Sequence, residues 1–431
     1  MSLFGTGRRE GIVAVCAIGL LTALVHVAAA WRLDELCEQA WVTAFAGAVG
    51  GMWTYRFLRV QGRSRYAAFL GGIAYGMSPL FSGLVGTPRE QLAAAFVPLG
   101  LEAIGHCDRP TSRTTWLPWI GLSLALPFVV GVTVVATLAT ALGLGMLAVT
   151  ILRSGRGDGR VPLLPVLLGL AIGAVAVVNL IWLDPLVGWL GAPRSPAIAR
   201  VLAGETTPMV VVRVVGPFLV WFALFGILRR QRHVTTTLWL LLAIVGATPT
   251  VLLTIPNVAA SMPNVMTTWA VPAMSWWLSV LAITVMGAAG LDDWLDQPLR
   301  RRGAHLWLLL VTLFCAPALP LAGAKVDPAH LVTVLGTFGV LAAVTLTWRR
   351  LGVLRFKNVL TTVALGAFAV PVLWREPDLA PDATPLAELA QPSWTRVVDQ
   401  LTATPLHHFA GLLAAVATSL LFFLTLHLRR R

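Results

Sequence analysis

The sequence predicts an all-α protein, a polytopic transmembrane helical bundle of about 13–14 spans. Three observations predict it. Hydrophobic residues make up 57% of the 431 residues, and charged residues only 12%. The mean hydropathy is +0.80. The apolar residues gather in runs of membrane-spanning length, and the basic residues gather between them. A soluble domain carries about 25% charged residues, so this composition excludes an ordinary water-soluble fold. It excludes disorder as well, because so much apolar surface does not stay in water.

A helix needs about 20 apolar residues to cross the hydrocarbon core. Such runs occupy 11–30, 41–59, 66–85, 91–105, 115–132, 134–152, 162–183, 210–228, 235–254, 268–290, 305–323, 331–348, 358–374 and 410–428. The fourth is short and holds Pro98, which suggests a re-entrant segment. The stretch 115–152 has arginines on both flanks, and a break at Gly131-Val132-Thr133 makes it a helical hairpin. Residues 1–431 read as one integral membrane domain, with longer loops at 184–209 and 375–409 on the outer face.

Charge gives the orientation. With the N-terminus inside, three quarters of the 32 Lys and Arg residues fall in cytoplasmic loops, as the positive-inside rule requires. Both termini are then cytoplasmic and the localisation is the cell membrane, multi-pass. Trp31, Trp116, Trp182, Trp307, Trp348 and Trp374 stand at span ends, where aromatic rings sit at the headgroups. The net charge of +13 is therefore assigned to topology, not to nucleic acid. Cys16, Cys37, Cys107 and Cys315 form no C-x-x-C pair, so neither a disulfide framework nor a zinc site is expected.

Gly47-x-x-x-Gly51, Gly72-x-x-x-Gly76 and Gly169-x-x-x-Gly173 let helix backbones approach closely. Gly287-Ala288-Ala289-Gly290 follows no strand and is not a phosphate loop. HExxH, GxSxG and Walker-type motifs are absent from the sequence. The outer-face polar residues carry the chemistry. Asp34, Glu35 and Glu38 follow the first span, Arg89 and Glu90 occupy the short turn Thr87-Pro88-Arg89-Glu90, Asp184 ends another span, and Arg194 and Arg200 follow it. Arg213 falls within the 210–228 run. A charge there is expensive in lipid and faces a partner or a watery cavity. Arginines suit phosphate because the planar guanidinium donates two parallel hydrogen bonds. The bland alternative is that these charges are hydrated or snorkel to headgroups. Asn179, Asn257 and Asn264 suit interhelical hydrogen bonds, and His407-His408 an interfacial pair. Asp292, Asp293 and Asp296 read as an inner-surface charge cluster.

Residues 66–104 hold Ala74-Tyr75-Gly76-Met77-Ser78-Pro79, then Thr87-Pro88-Arg89-Glu90, then an apolar helix with Pro98. This order resembles GT-C-class bacterial membrane glycosyltransferases, closest to the membrane part of the actinobacterial α-(1→3)-arabinofuranosyltransferase family. The hairpin at 123–140 and the Gly290-Leu291-Asp292 span end are similar too. The resemblance implies transfer of a sugar from a polyprenyl-phosphate donor to a cell-envelope glycan acceptor at the outer face. Asp34 or Glu35 would then be the base, Arg89 and Arg213 phosphate ligands, Glu90 their orienting partner, with Asp184, Arg194 and Arg200 lining the substrate site. A divalent metal fits such chemistry, although the sequence offers no ligand cluster. One departure stands out. Those enzymes carry a long first outer loop, and here only Trp31 to Ala40 join the first two spans. A non-catalytic membrane subunit packed against a membrane protein partner, or a transporter of a lipid-linked substrate, remain as alternatives.

Overall fold

The computed structural model describes residues 7–32, 38–78, 81, 88–106, 217–229, 234–253, 272–295, 339, 357–370 and 372–373. Within them the regular secondary structure is entirely α-helical. The helices are α1 (Gly7–Arg32), α2 (Glu38–Val60), α3 (Arg65–Gly76), α4 (Pro88–His106), α5 (Pro217–Arg229), α6 (Val234–Leu253), α7 (Pro272–Leu295) and α8 (Lys357–Val370). Two of them contain a segment long and apolar enough to cross a membrane, Gly11–Trp31 and Trp277–Leu295.

The α2–α3 hairpin is set by local chemistry. Gly62 has φ of 80°, a left-handed conformation that glycine adopts without a Cβ penalty. Its N–H donates to Arg59 O at 3.1 Å, and the Arg63 N–H donates to Leu58 O at 3.1 Å. These two bonds are the Schellman arrangement that ends a helix. Two residues later Ser64 caps α3, its Oγ accepting from the Ala67 N–H at 3.1 Å.

Glycines then fix how the helices cross. A Cβ on Gly47 would lie 2.8 Å from Gly76 O, and one on Gly76 would lie 2.6 Å from Gly47 O. Gly51 and Gly72 repeat the relationship, each 2.8 Å from the other's carbonyl. The two G-x-x-x-G motifs thus face one another in antiparallel register. Ile18 packs against Gly51 and Gly72, Thr22 against Gly76 and His26 against Gly47. So α1 runs antiparallel to α2 and parallel to α3.

Two contacts set the direction of α4. Near the helix starts the Thr43 Oγ1 hydroxyl donates to Gln91 Oε1 at 2.9 Å. Near their ends Arg56 pairs with Glu102 at 2.9 Å. Therefore α2 and α4 run parallel. Pro98 lies inside α4, which continues through it as one helix and not as an interrupted segment.

The second group of helices is organised by α7, which packs against α5, α6 and α3. Gly287 and Gly290, read from the sequence only as not a phosphate loop, are where α5 crosses α7. Gly226 of α5 meets Met286 O and Gly290, and Gly287 meets Leu219. Trp221 and Phe222 of α5 meet Trp294 of α7 edge to face, and Phe225 stacks on Trp221. Ser279 Oγ donates to Ala243 O at 2.7 Å, tying α7 to α6. On α8 the Lys357 carbonyl accepts from the Tyr66 hydroxyl of α3 at 3.0 Å.

Several helix bounds differ from the hydropathy reading. The run 66–85 predicted a full span, yet α3 stops at Gly76. The cause is Ser78-Pro79: a residue before proline is driven out of the helical region. Arg89 and Glu90, expected in a turn, lie in the first turn of α4, which opens at Pro88. Proline suits that first position because its missing N–H would be unpaired there anyway. Of the run expected at 210–228, the described part is the helix Pro217–Arg229, and Arg213 lies outside the described residues.

Candidate functional site

Polar side chains are few in this bundle, and four helices bring theirs to one level. Thr22 and His26 are one turn apart on α1, and Thr43 precedes Gly47 by one turn on α2. Gly76 ends α3, Ser78 follows two residues later, and Gln91 lies in the first turn of α4. All are buried. The level sits toward the end of the unit where Arg32 closes α1, Glu38 opens α2 and Pro88 opens α4.

Each helix reaches this level for a local reason. Gly47 and Gly76 leave no side chain between α2 and α3, and His26 Nε2 fills the notch at 2.8 Å from Gly76 O. The imidazole N–H donates to that carbonyl, which α3 no longer uses because the helix has ended. Tyr75 points the other way and its hydroxyl donates to Ala94 O of α4 at 3.0 Å. The Thr43–Gln91 bond closes the layer between α2 and α4. The described side chains here are hydroxyl, amide and imidazole. They recognise by hydrogen bonding, not by full charge.

The charged contacts among the described side chains lie at the opposite end. The Glu102 carboxylate accepts from Arg56 Nε at 3.0 Å, and the same guanidinium lies over the Trp53 ring at 4.6 Å. Asp292 of α7 caps the start of α3, accepting from the Ser64 N–H at 2.8 Å and bonding the Ser64 hydroxyl. Lys357 Nζ stands 5.5 Å from the Tyr66 ring. The Asp292–Asp293 pair is thus built into a helix junction, and Asp293 is buried.

Of the residues expected at the site, Arg89 and Glu90 belong to the first turn of α4, beside Gln91 in sequence. Asp34 and Glu35 fall between Arg32 and Glu38, and Asp184, Arg194, Arg200 and Arg213 fall between α4 and α5. These six lie outside the described residues. So do Asn179, Asn257, Asn264, Asp296, His407, His408 and the segments 184–209 and 375–409. Sequence reasoning did not single out Thr22, His26, Thr43, Gln91 or Glu102. The signal for His26 was present, since an ionisable residue inside an apolar run is a functional candidate by default. Among the described residues no group of three His, Cys, Asp or Glu side chains is placed to hold a metal ion. Comparison of the chain with protein families, with curated proteins and with solved structures found no match.

Proposed function

We propose that this chain is a multi-pass membrane protein and a GT-C-like glycosyltransferase of the arabinofuranosyltransferase type. In this reading it moves a sugar from a polyprenyl-phosphate donor to a cell-envelope glycan at the outer face. The termini are cytoplasmic, and the remaining apolar runs complete a polytopic bundle around the described helices.

The membrane part is supported by the exposed face of α1. Ile12, Cys16, Leu20, Leu24, Ala28 and Trp31 lie three or four residues apart and are all exposed. The stripe is about 28 Å long at a rise of about 1.5 Å per residue, close to the roughly 30 Å of a hydrocarbon core. Trp31 ends it, and exposed Trp41 and Phe45 of α2 lie near the same end. An apolar strip of that length left in water would be a strong association site.

The observation that carries the transferase reading is the shared end of α1, α2 and α4. The polar layer lies just inside it, and Arg89, Glu90 and the segment holding Asp34 and Glu35 belong to the same end by chain connectivity. A lipid tail can lie against the helices while phosphate meets Arg89 and Arg213. The acceptor hydroxyl attacks the anomeric carbon, Asp34 or Glu35 takes its proton, and the bond from that carbon to phosphate breaks. Polyprenyl phosphate then leaves with the negative charge the arginines stabilise.

The test is an assay of membranes carrying the wild-type chain, R213A, R89A or the double variant D34N/E35Q against a panel of polyprenyl-phosphate sugars. Transfer by the wild type, lost in R213A and in D34N/E35Q at unchanged expression, supports the reading. Full activity in R213A removes that arginine from the site. No transfer by the wild type from any donor favours the subunit reading.

A further inference from the structure

We propose that Tyr75 is the positioning residue for the first half of α4. Its hydroxyl supplies the hydrogen bond that Pro98 takes out of that helix, and so sets the direction of the segment carrying Arg89, Glu90 and Gln91. The transferase reading gives that segment its role, and the geometry stands without it.

Pro98 lies inside α4. In an α-helix the N–H of residue 98 donates to the carbonyl of residue 94. Proline has no N–H, and its ring crowds that same carbonyl. Ala94 O is therefore the carbonyl that the proline deprives of its helical partner. The Tyr75 hydroxyl of α3 donates to this atom at 3.0 Å. Tyr75 is 0% exposed and Ala94 1%, so the bond is made away from solvent. Gly50 of α2 leaves room for it. A Cβ there would stand 3.2 Å from Tyr75 Cε1 and 3.4 Å from Ala95 Cα. Phe81 backs the Tyr75 ring edge to face, with centroids 5.4 Å apart.

The second half of α4 is clamped to α2. The Arg56–Glu102 pair holds it, and a Cβ on Gly105 would lie 2.6 Å from Val60 Cγ1. The first half is tied by the Thr43–Gln91 bond at 2.9 Å and by Tyr75. A buried carbonyl left without a donor is unfavourable, and proline is where helices bend. Without the hydroxyl, relief comes from a change of bend at Pro98. From there to Pro88 the helix is a lever of about 15 Å, and a bend of about 20° moves its tip by about 5 Å. Arg89 and Glu90 stand at that tip.

The experiment measures distances between spin labels by pulsed electron paramagnetic resonance in the full chain, with its four native cysteines replaced by alanine. Labels at L92C and L24C read the first half of α4 against α1, and labels at H106C and V13C read the second half. We expect Y75F to shift or broaden the first distance by several ångströms and to leave the second unchanged. Phenylalanine fills the same space, so a role in packing alone gives no shift. P98A gives residue 98 an N–H for Ala94 O, so Y75F/P98A should match P98A. An unchanged first distance in Y75F overturns the proposal, and so does a shift from P98A to Y75F/P98A as large as that from wild type to Y75F. If Y75F does not fold, P98A against Y75F/P98A decides: equal distances support the proposal, and loss of folded protein in the double variant overturns it. These distances are read whether or not the chain transfers a sugar, so failure here is separate from failure of the transfer assay.

Discussion

Arg56 and Glu102 form an ion pair at 2.9 Å in which the carboxylate is 2% exposed and the guanidinium 36% exposed. The pair joins α2 to α4 at the end away from the polar layer. Removing one partner leaves a buried charge, which costs about 3–5 kcal/mol in fully buried pairs. R56M leaves the Glu102 carboxylate buried and should cost about 2–3 kcal/mol, whereas E102M leaves a guanidinium with access to solvent and should cost less. R56M/E102M should cost less than the two single changes added together. Denaturant or thermal unfolding in detergent reads this, and additive losses would show that the pair is not coupled.

At the α2–α3 crossing the prediction is steric. G47A and G76A each drive a methyl to within 3 Å of a backbone carbonyl oxygen, an atom that cannot move out of the way. About 3 kcal/mol or loss of folded protein is expected, the upper range for overpacking. Gly366 has open space around its Cα, so G366A should be neutral or stabilise by up to about 1 kcal/mol. Size-exclusion yield and melting temperature separate the two outcomes. A well-behaved G76A would refute the close crossing.

The cap on α3 is shared by Ser64 and Asp292. S64A should cost about 1 kcal/mol, as loss of a helix N-cap does, and D292N should cost a similar amount. Because the two groups act on one another, S64A/D292N should fall well short of the sum.

A fourth prediction concerns the face of α1. Leu20 is 63% exposed, whereas Thr22 is fully buried. Spin labels at L20C and L24C should show frequent collisions with oxygen and rare ones with a water-soluble nickel complex. A label at T22C should show few of either. High nickel accessibility at L20C would place that face in water and remove the main support for a membrane position.

Hydropathy made most of the described helices readable and left their ends to special residues. The bounds of α2 and α6 follow their apolar runs to within a few residues. Helix α3 was overextended because Met77, Ser78 and Pro79 are not polar enough to break a hydropathy window, although proline chemistry stops the helix. The start of α4 was missed for the opposite reason, since charged Arg89 and Glu90 look like a turn but belong to a first helical turn. The candidate site was harder to see. Thr22, Thr43 and Gln91 are isolated neutral polar residues, and only the crossing of four helices brings them to one level. Hydropathy has no term for that.

The Ser64–Asp292 cap also carries a consequence for how the chain is made. The two residues are 228 positions apart, whereas Arg56 and Glu102 are 46 apart. At about 5–20 residues per second on the ribosome, Ser64 waits on the order of 10–50 s for its partner to be synthesised. The α1–α4 unit can therefore close early, and α3 holds an incomplete first turn until α7 arrives. A truncated nascent chain ending before α7 should already protect Arg56 and Glu102 while leaving Ser64 open to solvent.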